Sequence, residues 1–286
     1  MKNVLIHLRL PFSFFLLPIY LFALSQTHQV NTQKAWWVFF ILHFLLFPAS
    51  NAYNSYYDKD EGSIGLLEKP PPTDQRLYYT SWALDIVALT LGWLFVSDWF
   101  IVYLLVYGFI SKAYSHPIVR LKKYPIVSWV VVTFFQGALT YWAVCEAIAD
   151  KPLNFTLSTL KDELLPALIC TSNLLAIYPL TQVYQHDEDA RRGDLTMSRV
   201  LGIKGTFVNA CFWLLLSGLG FLLYFGISQR LLLLALCLLP LLLFFVWWLR
   251  QVWKDERVAD FKNTMRLNLL ASVCLNVFFG ILCFWQ

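Results

Sequence analysis

The apolar residues of this chain fall into long blocks of about 15 to 25 residues, separated by short polar segments. As an α-helix, a block of this length spans the roughly 30 Å hydrocarbon core of a bilayer. Hydrophobic residues make up 58% of the 286 positions and charged residues only 14%, whereas a soluble domain is about 25% charged. Because so little polar surface cannot cover a water-soluble globule, we predict an all-α, polytopic membrane protein.

The blocks predict nine transmembrane helices in one domain over residues 1–286. Their predicted positions are 9–26, 35–57, 80–97, 99–114, 125–147, 163–185, 205–227, 230–250 and 266–285. Tight turns are expected around Ser97 and Ser228. The first block follows Arg9-Leu10-Pro11, which suits a helix start, and no small-residue cleavage pattern follows it. We therefore expect a span here rather than a removable signal peptide.

The Lys and Arg residues predict the orientation of these spans. Nine spans place all but four of the 22 basic residues on one side, the exceptions being Lys34, Lys151, Lys161 and Arg230. By the positive-inside rule, the N-terminus is cytoplasmic and the C-terminus lies outside. We expect a multi-pass protein of the cell membrane, the inner membrane of a bacterium. The formal net charge of +4 reflects this topology and does not indicate nucleic-acid binding.

A first polar cluster, residues 54–62, stands at the cytoplasmic end of the second predicted span. Residues three or four apart share a helix face. Asn54, Asp58 and Glu61 therefore form one stripe, with Asp60 to the side. Carboxylates and amides at a membrane helix end are costly and are usually retained for function.

A second polar cluster, residues 182–194, follows the sixth predicted span and repeats the pattern with Gln182, Gln185 and Asp189. Oxygen donors of this kind suit Mg²⁺, which takes one or two carboxylates together with substrate phosphates. For one cluster alone, a solvated and capped helix end is the better interpretation. Two such clusters favour a site where the metal holds a diphosphate. The predicted metal ligands are Asn54, Asp58, Glu61, Gln185 and Asp189.

Basic residues near the clusters complete the predicted site. An Arg can bind phosphate oxygens with a bidentate fork, and a Lys binds them as a point charge. For each basic residue, ordinary positive-inside topology is an equally good explanation. The predicted diphosphate-binding residues are Arg120, Lys122, Arg191, Arg192 and Asn54.

At these residues the chain resembles the membrane-embedded UbiA-type prenyltransferase superfamily, which has nine transmembrane helices and Asp-rich motifs on helices two and six. The family's first motif, Asn-x-x-x-Asp-x-x-x-Asp, is similar to Asn54-x-x-x-Asp58-x-x-x-Gly62. Its second, Asp-x-x-x-Asp followed by Gly and Thr, is similar to Gln185-x-x-x-Asp189 followed by Gly193 and Thr196. Its loop Tyr-Ser-Pro-Pro-Leu-Arg-Leu-Lys is similar to Tyr114-Ser115, Pro117 and Arg120-Leu121-Lys122.

The resemblance implies Mg²⁺-dependent transfer of a prenyl group from an allylic polyprenyl diphosphate to an acceptor that is usually an electron-rich aromatic ring. It implies catalytic roles for Asp58, Asp189 and Tyr114, and a lipid tail held in a cavity of the bundle. Gly62 and Gln185 depart from the pattern, since the family has Asp at both positions. Glu61 can still reach the same helix face, and Gln185 can offer a carbonyl oxygen. The two missing carboxylates predict weaker metal binding, a different acceptor, or another prenyl-lipid reaction.

Two alternatives to a prenyltransferase stay open at this stage. In a transporter, the polar intramembrane residues Asp85, Gln136 and Asn173 would line the solute path. In a catalytically divergent homologue, the same bundle would bind or cyclise a prenyl lipid.

Overall fold

The computed structural model describes residues 2–149 and 160–285, and most of these residues are helical. A 3₁₀ segment, Leu10–Phe15, links the first two helices. The helices are α1 (Lys2–Leu8), α2 (Leu17–Gln26), α3 (Thr32–Asp58), α4 (Arg76–Phe95), α5 (Asp98–Ser115), α6 (Pro125–Ala149), α7 (Leu160–Leu180), α8 (His186–Arg192), α9 (Met197–Phe225), α10 (Gln229–Lys254) and α11 (Phe261–Phe284). The predicted all-α membrane fold is confirmed. Lys151, one of the four basic residues expected outside, lies beyond the described residues.

Helices occupy all nine predicted positions in the described part of the chain, but a count of nine spans is not confirmed. Six helices there are long and apolar enough to cross a membrane. A seventh is added if Lys2–Phe15 and Leu17–Gln26, which meet at a bend of 42°, form one span. Helices α4 and α5 fall short of this standard, because each carries a charged residue inside it. These residues, Asp85 and Lys112, form an ion pair with each other.

Serine side chains begin two of the helices at the predicted turns. The Ser97 hydroxyl accepts a hydrogen bond from the Phe100 N–H at 3.1 Å, and the Ser228 hydroxyl accepts one from the Leu231 N–H at 3.4 Å. Such N-caps satisfy amide groups that would otherwise lack a partner at a helix start. The short turns make α4 and α5, and likewise α9 and α10, antiparallel neighbours.

The helices close into a bundle in which the first and last spans are neighbours. Helix α2 packs against both α11 and α6, and α7 packs along α9. Aromatic rings make the contact between these helices. The ring centroids of Phe22 and Phe279 lie 4.4 Å apart in a stacked arrangement, and those of Phe22 and Tyr141 lie 5.4 Å apart. Phe22 and Tyr141 are almost fully buried, so this contact is part of the hydrophobic core of the bundle.

Helix α7 ends at Leu180, and the chain then forms a 3₁₀ turn over Val183–Gln185 before α8 begins. Pro179 lacks the N–H that would bond to the Leu175 carbonyl, and this weakens the last turn of α7. That carbonyl instead accepts bonds from Trp129 Nε1 at 3.1 Å and Asn209 Nδ2 at 3.3 Å. Gln182, Gln185 and Asp189 therefore do not lie on one regular helix as predicted, although all three side chains line the same cavity.

A close helix contact lies at Gly137, in a π-helical segment of α6. A Cβ atom added there would stand 2.9 Å from the backbone of Thr171 in α7. The Thr171 hydroxyl accepts a bond from the Ala138 N–H at 3.1 Å. Position 137 can therefore hold only glycine without separating α6 from α7.

We expect Gly137→Ala to destabilise the bundle by about 1–3 kcal/mol, because the added methyl overpacks this contact. The control is Gly108→Ala in α5, where a Cβ has open space. There, the better helix propensity of Ala predicts no loss, or a gain of up to about 1 kcal/mol. Thermal unfolding of the purified protein in detergent measures both. Equal stability of the two variants would contradict this packing.

Candidate active site

A polar cavity of about 240 Å³ lies where α3 and α5 end and where the chain breaks between α7 and α8. An apolar cavity of about 160 Å³ lies deeper in the bundle, and Phe, Leu and Ile side chains dominate its walls. The two cavities adjoin each other and share part of their walls. The residues that line both are Phe12, Gln136, Tyr178, Thr181 and Asn268.

The lining of the polar cavity is rich in charge. Its charged residues are Asp58, Asp60, Asp189, Asp194, Arg9, Lys122 and Arg192. They come from four separate segments of the chain, at residues 9, 58–60, 122 and 189–194, so only tertiary packing brings them together. Such a concentration of charge in a partly buried site is costly unless each group has a partner or a ligand.

Asn54 and Asp58 lie on the last turns of α3. The Asn54 amide donates to Asp58 Oδ2 and to the Ser115 hydroxyl, both at 2.7 Å. Helix α3 stops at Asp58 because Lys59 adopts a left-handed conformation with φ of 49°. This turn brings Asp60 to the cavity, while the Glu61 side chain is exposed and does not line it.

Lys122 connects two carboxylates across the cavity. Its ammonium lies 2.6 Å from Asp58 Oδ1 and 3.1 Å from Asp194 Oδ2. Burial lowers the pKa of Lys122, but Asp58 and Asp194 outweigh it, so the pKa is raised and the side chain stays charged. Arg120 binds the far side of Asp194 at 2.9 Å. It therefore supports the cavity wall without lining the cavity.

The second cluster lies opposite the first. Asp189 Oδ2 accepts a bond from the Thr196 hydroxyl at 3.1 Å. The Gln185 amide donates to the Ser63 carbonyl at 3.0 Å. Both side chains line the cavity, whereas Arg191 is exposed and does not.

Arg192 joins the two clusters. Its guanidinium pairs with Asp60 and binds Glu188 Oε1 at 2.7 Å and the Lys59 carbonyl at 3.1 Å. Burial, followed by the nearby Asp58 charge, raises the pKa of Asp60 to about 6, although Arg192 opposes the rise.

The structure brings most of the predicted site residues together. Those that line the cavity are Asn54, Asp58, Tyr114, Lys122, Gln185, Asp189 and Arg192. Three further charged residues line the cavity although they were not among the predicted site residues: Arg9, Asp60 and Asp194. Of these, Asp60 was expected to lie beside the site. Arg9 was read as a helix start, yet it is buried and donates from Nη2 to Asn51 Oδ1 at 3.2 Å. An ionisable residue at the start of an apolar block was the signal that could have found it.

The residues named for a transport path do not lie along one channel. Asp85 is paired with Lys112 and lines neither cavity. Gln136 lies at the junction of the cavities, and Asn173 lines only the apolar one.

The donor atoms of the cavity fit a hard divalent cation. Within the described residues, no three His, Cys, Asp or Glu side chains form a ready-made metal site. Several carboxylates and amides nevertheless line one cavity. Mg²⁺ commonly binds through one or two carboxylates and completes its coordination with phosphate oxygens and water. The residues present therefore suit a metal that binds together with a diphosphate.

Comparison with known proteins agrees with this fold. A model of the UbiA prenyltransferase family matches residues 15–270. A UbiA homologue from Aeropyrum pernix K1 is similar with a TM-score of 0.73 at 15% identity, over 96% of this chain and 98% of that one. A UbiA homologue from Archaeoglobus fulgidus bound to DMAPP and Mg²⁺ has a TM-score of 0.72 at 14% identity, over 99% and 100% of the two chains. No curated protein sequence matches the chain.

Lys122→Met is expected to cost roughly 3–5 kcal/mol of stability, because it leaves Asp58 and Asp194 buried without their shared cation. Lys123→Met is the matched control, since the neighbouring Lys123 side chain is exposed. Thermal unfolding in detergent without added metal compares the two. An unchanged midpoint for Lys122→Met would show that this ion pair does not hold the site.

Proposed function

The chain belongs to the UbiA prenyltransferase family, and we propose that it transfers a prenyl group from an allylic polyprenyl diphosphate to a lipophilic, aromatic acceptor in the membrane. One observation carries the proposal: a charged cavity adjoins an apolar one and shares five wall residues with it. A molecule with a highly charged head and a long apolar tail matches this pair of cavities. An allylic polyprenyl diphosphate is such a molecule.

The diphosphate would lie among the charged residues of the polar cavity. Lys122 and Arg192 would donate to its oxygens, while Asp58 and Asp189 would hold Mg²⁺. When bound, Mg²⁺ would neutralise charge on the leaving diphosphate. Similar proteins support this assignment, since structures of the Archaeoglobus homologue are described with DMAPP or GPP and Mg²⁺.

The reacting carbon would then lie at the junction of the cavities. The bond between the allylic carbon and the diphosphate oxygen breaks, the electron pair leaves with the diphosphate, and the acceptor ring forms the new carbon–carbon bond and loses a proton. The rings of Phe12 and Tyr178 line the junction and can stabilise the allylic cation. The Tyr178 hydroxyl donates to the Tyr114 hydroxyl at 2.7 Å, so Tyr114 would orient this ring.

Asp58→Ala or Asp189→Ala is expected to lower Mg²⁺-dependent release of diphosphate by roughly 100-fold or more, the scale seen when one charge-stabilising group is lost. The assay uses purified protein in nanodiscs with geranyl to long-chain polyprenyl diphosphates, with and without aromatic acceptors. Asp74→Asn, a change at an exposed loop carboxylate, should keep the parent rate.

Each outcome of this assay has a distinct meaning. Parent rates in both Ala variants would contradict the site. Release without any acceptor would indicate a cyclase or a hydrolytic homologue, and no release by folded protein would favour a homologue that binds prenyl lipids without turnover.

Phe279→Ala is expected to shift donor preference towards longer chains, because the Phe22–Phe279 stack lines the apolar cavity. The ratio of kcat/KM for a long donor over geranyl diphosphate should rise about 10-fold, the scale of small volume changes in apolar pockets. Val277→Ala, at a side chain 49% exposed on the same helix, is the matched control. An unchanged ratio would place the tail elsewhere.

A further inference from the structure

We propose that Asp60 is the third carboxylate of the metal and diphosphate site, in place of the Asp that the family motif has where this chain has Gly62, and that Glu188 positions it. The inference rests on the proposed function. It accounts for the loss of a carboxylate at position 62 without loss of the site.

The backbone conformation at the end of α3 determines which residue after Asp58 faces the cavity. In a continuous helix, residues 54, 58 and 62 would share one face. Here the left-handed Lys59 ends the helix directly after Asp58. As a result Asp60, and not residue 62, lines the polar cavity with Asp58.

The space beside Gly62 is taken by a carboxylate from another helix. Glu188 Oε1 accepts bonds from the N–H groups of Glu61 at 3.0 Å and Gly62 at 3.3 Å. A Cβ on Gly62 would stand 2.3 Å from Glu188 Oε2. Any side chain at this position would therefore displace Glu188 or the loop.

Arg192 links this anchor to Asp60. Its guanidinium binds Glu188 and Asp60 together, and it also binds the carbonyl of Lys59. The side chains of Glu188 and Asp60 are only 11% and 12% exposed, so solvent competes weakly for these contacts. Glu188 therefore fixes both the loop backbone and the cation that orients Asp60. Glu188 is a positioning residue, since it does not line the cavity.

Binding of Mn²⁺ to the protein in detergent tests the role of Asp60 directly. Inorganic pyrophosphate is present, and electron paramagnetic resonance measures the free Mn²⁺. Asp60→Asn should weaken Mn²⁺ binding about 10-fold or more. Glu68→Gln, at an exposed carboxylate of the same loop, should not change it. The unfolding midpoint without metal verifies that each variant is folded.

A double-mutant cycle tests the positioning role. Gly62→Ala and Glu188→Ala should each weaken Mn²⁺ binding several-fold, because each releases the loop that carries Asp60. Since both act through one contact, Gly62→Ala should have little further effect in the Glu188→Ala protein. Fully additive effects on Mn²⁺ affinity would overturn the role of Glu188.

The same measurement separates this inference from the proposed function. Asp58→Ala abolishes Mn²⁺ binding if the proposed site is correct. Loss in Asp58→Ala with full binding in Asp60→Asn would overturn the role of Asp60 alone. Full binding in both variants would overturn the metal site itself.

Discussion

The site depends on keeping charged groups buried where the helices end. Lys122 binds Asp58 and Asp194, and Arg192 binds Asp60 and Glu188. Each cation joins segments that are far apart in the chain. A buried ion pair adds little net stability, but removing one of its partners leaves an unpaired buried charge and strongly destabilises the protein. These two cations therefore hold both acidic clusters around one cavity. The four carboxylates that line the cavity outnumber its three cations by one.

Breaks in the helices supply the geometry of this cavity. The chain leaves helical conformation at Arg9 and Lys59, both left-handed, and again after Leu180. Residues at or beside all three breaks line the polar cavity. Irregular backbone is tolerated at membrane depth only where it faces protein or a polar cavity. The walls of the deeper cavity are mostly apolar and suit a lipid tail.

Much of this arrangement was predictable from local sequence. The helix positions followed from apolar block lengths, and Asn54, Asp58 and Asp189 were expected at helix ends. The number of spans was less predictable, because Asp85 lowers the mean hydropathy of α4 and Lys112 lowers that of α5. These two residues form an ion pair with each other. Ideal helical spacing predicted that Glu61 would join the site and that Asp60 would lie to the side. Because the left-handed residue Lys59 ends the helix, Asp60 lines the cavity and Glu61 does not. Pro179 likewise ended the helix that was expected to carry Gln182 and Gln185.

The sequence by itself determined a helical membrane protein with two oxygen-rich clusters, because apolar block length and helical spacing are local properties. Tertiary structure decided which of those oxygens meet. Arg192 reaches Asp60 across 132 positions of sequence, and Lys122 reaches Asp58 across 64. Such contacts depend on how helices pack and where their backbones break. Neither property is visible in the spacing of residues within one helix.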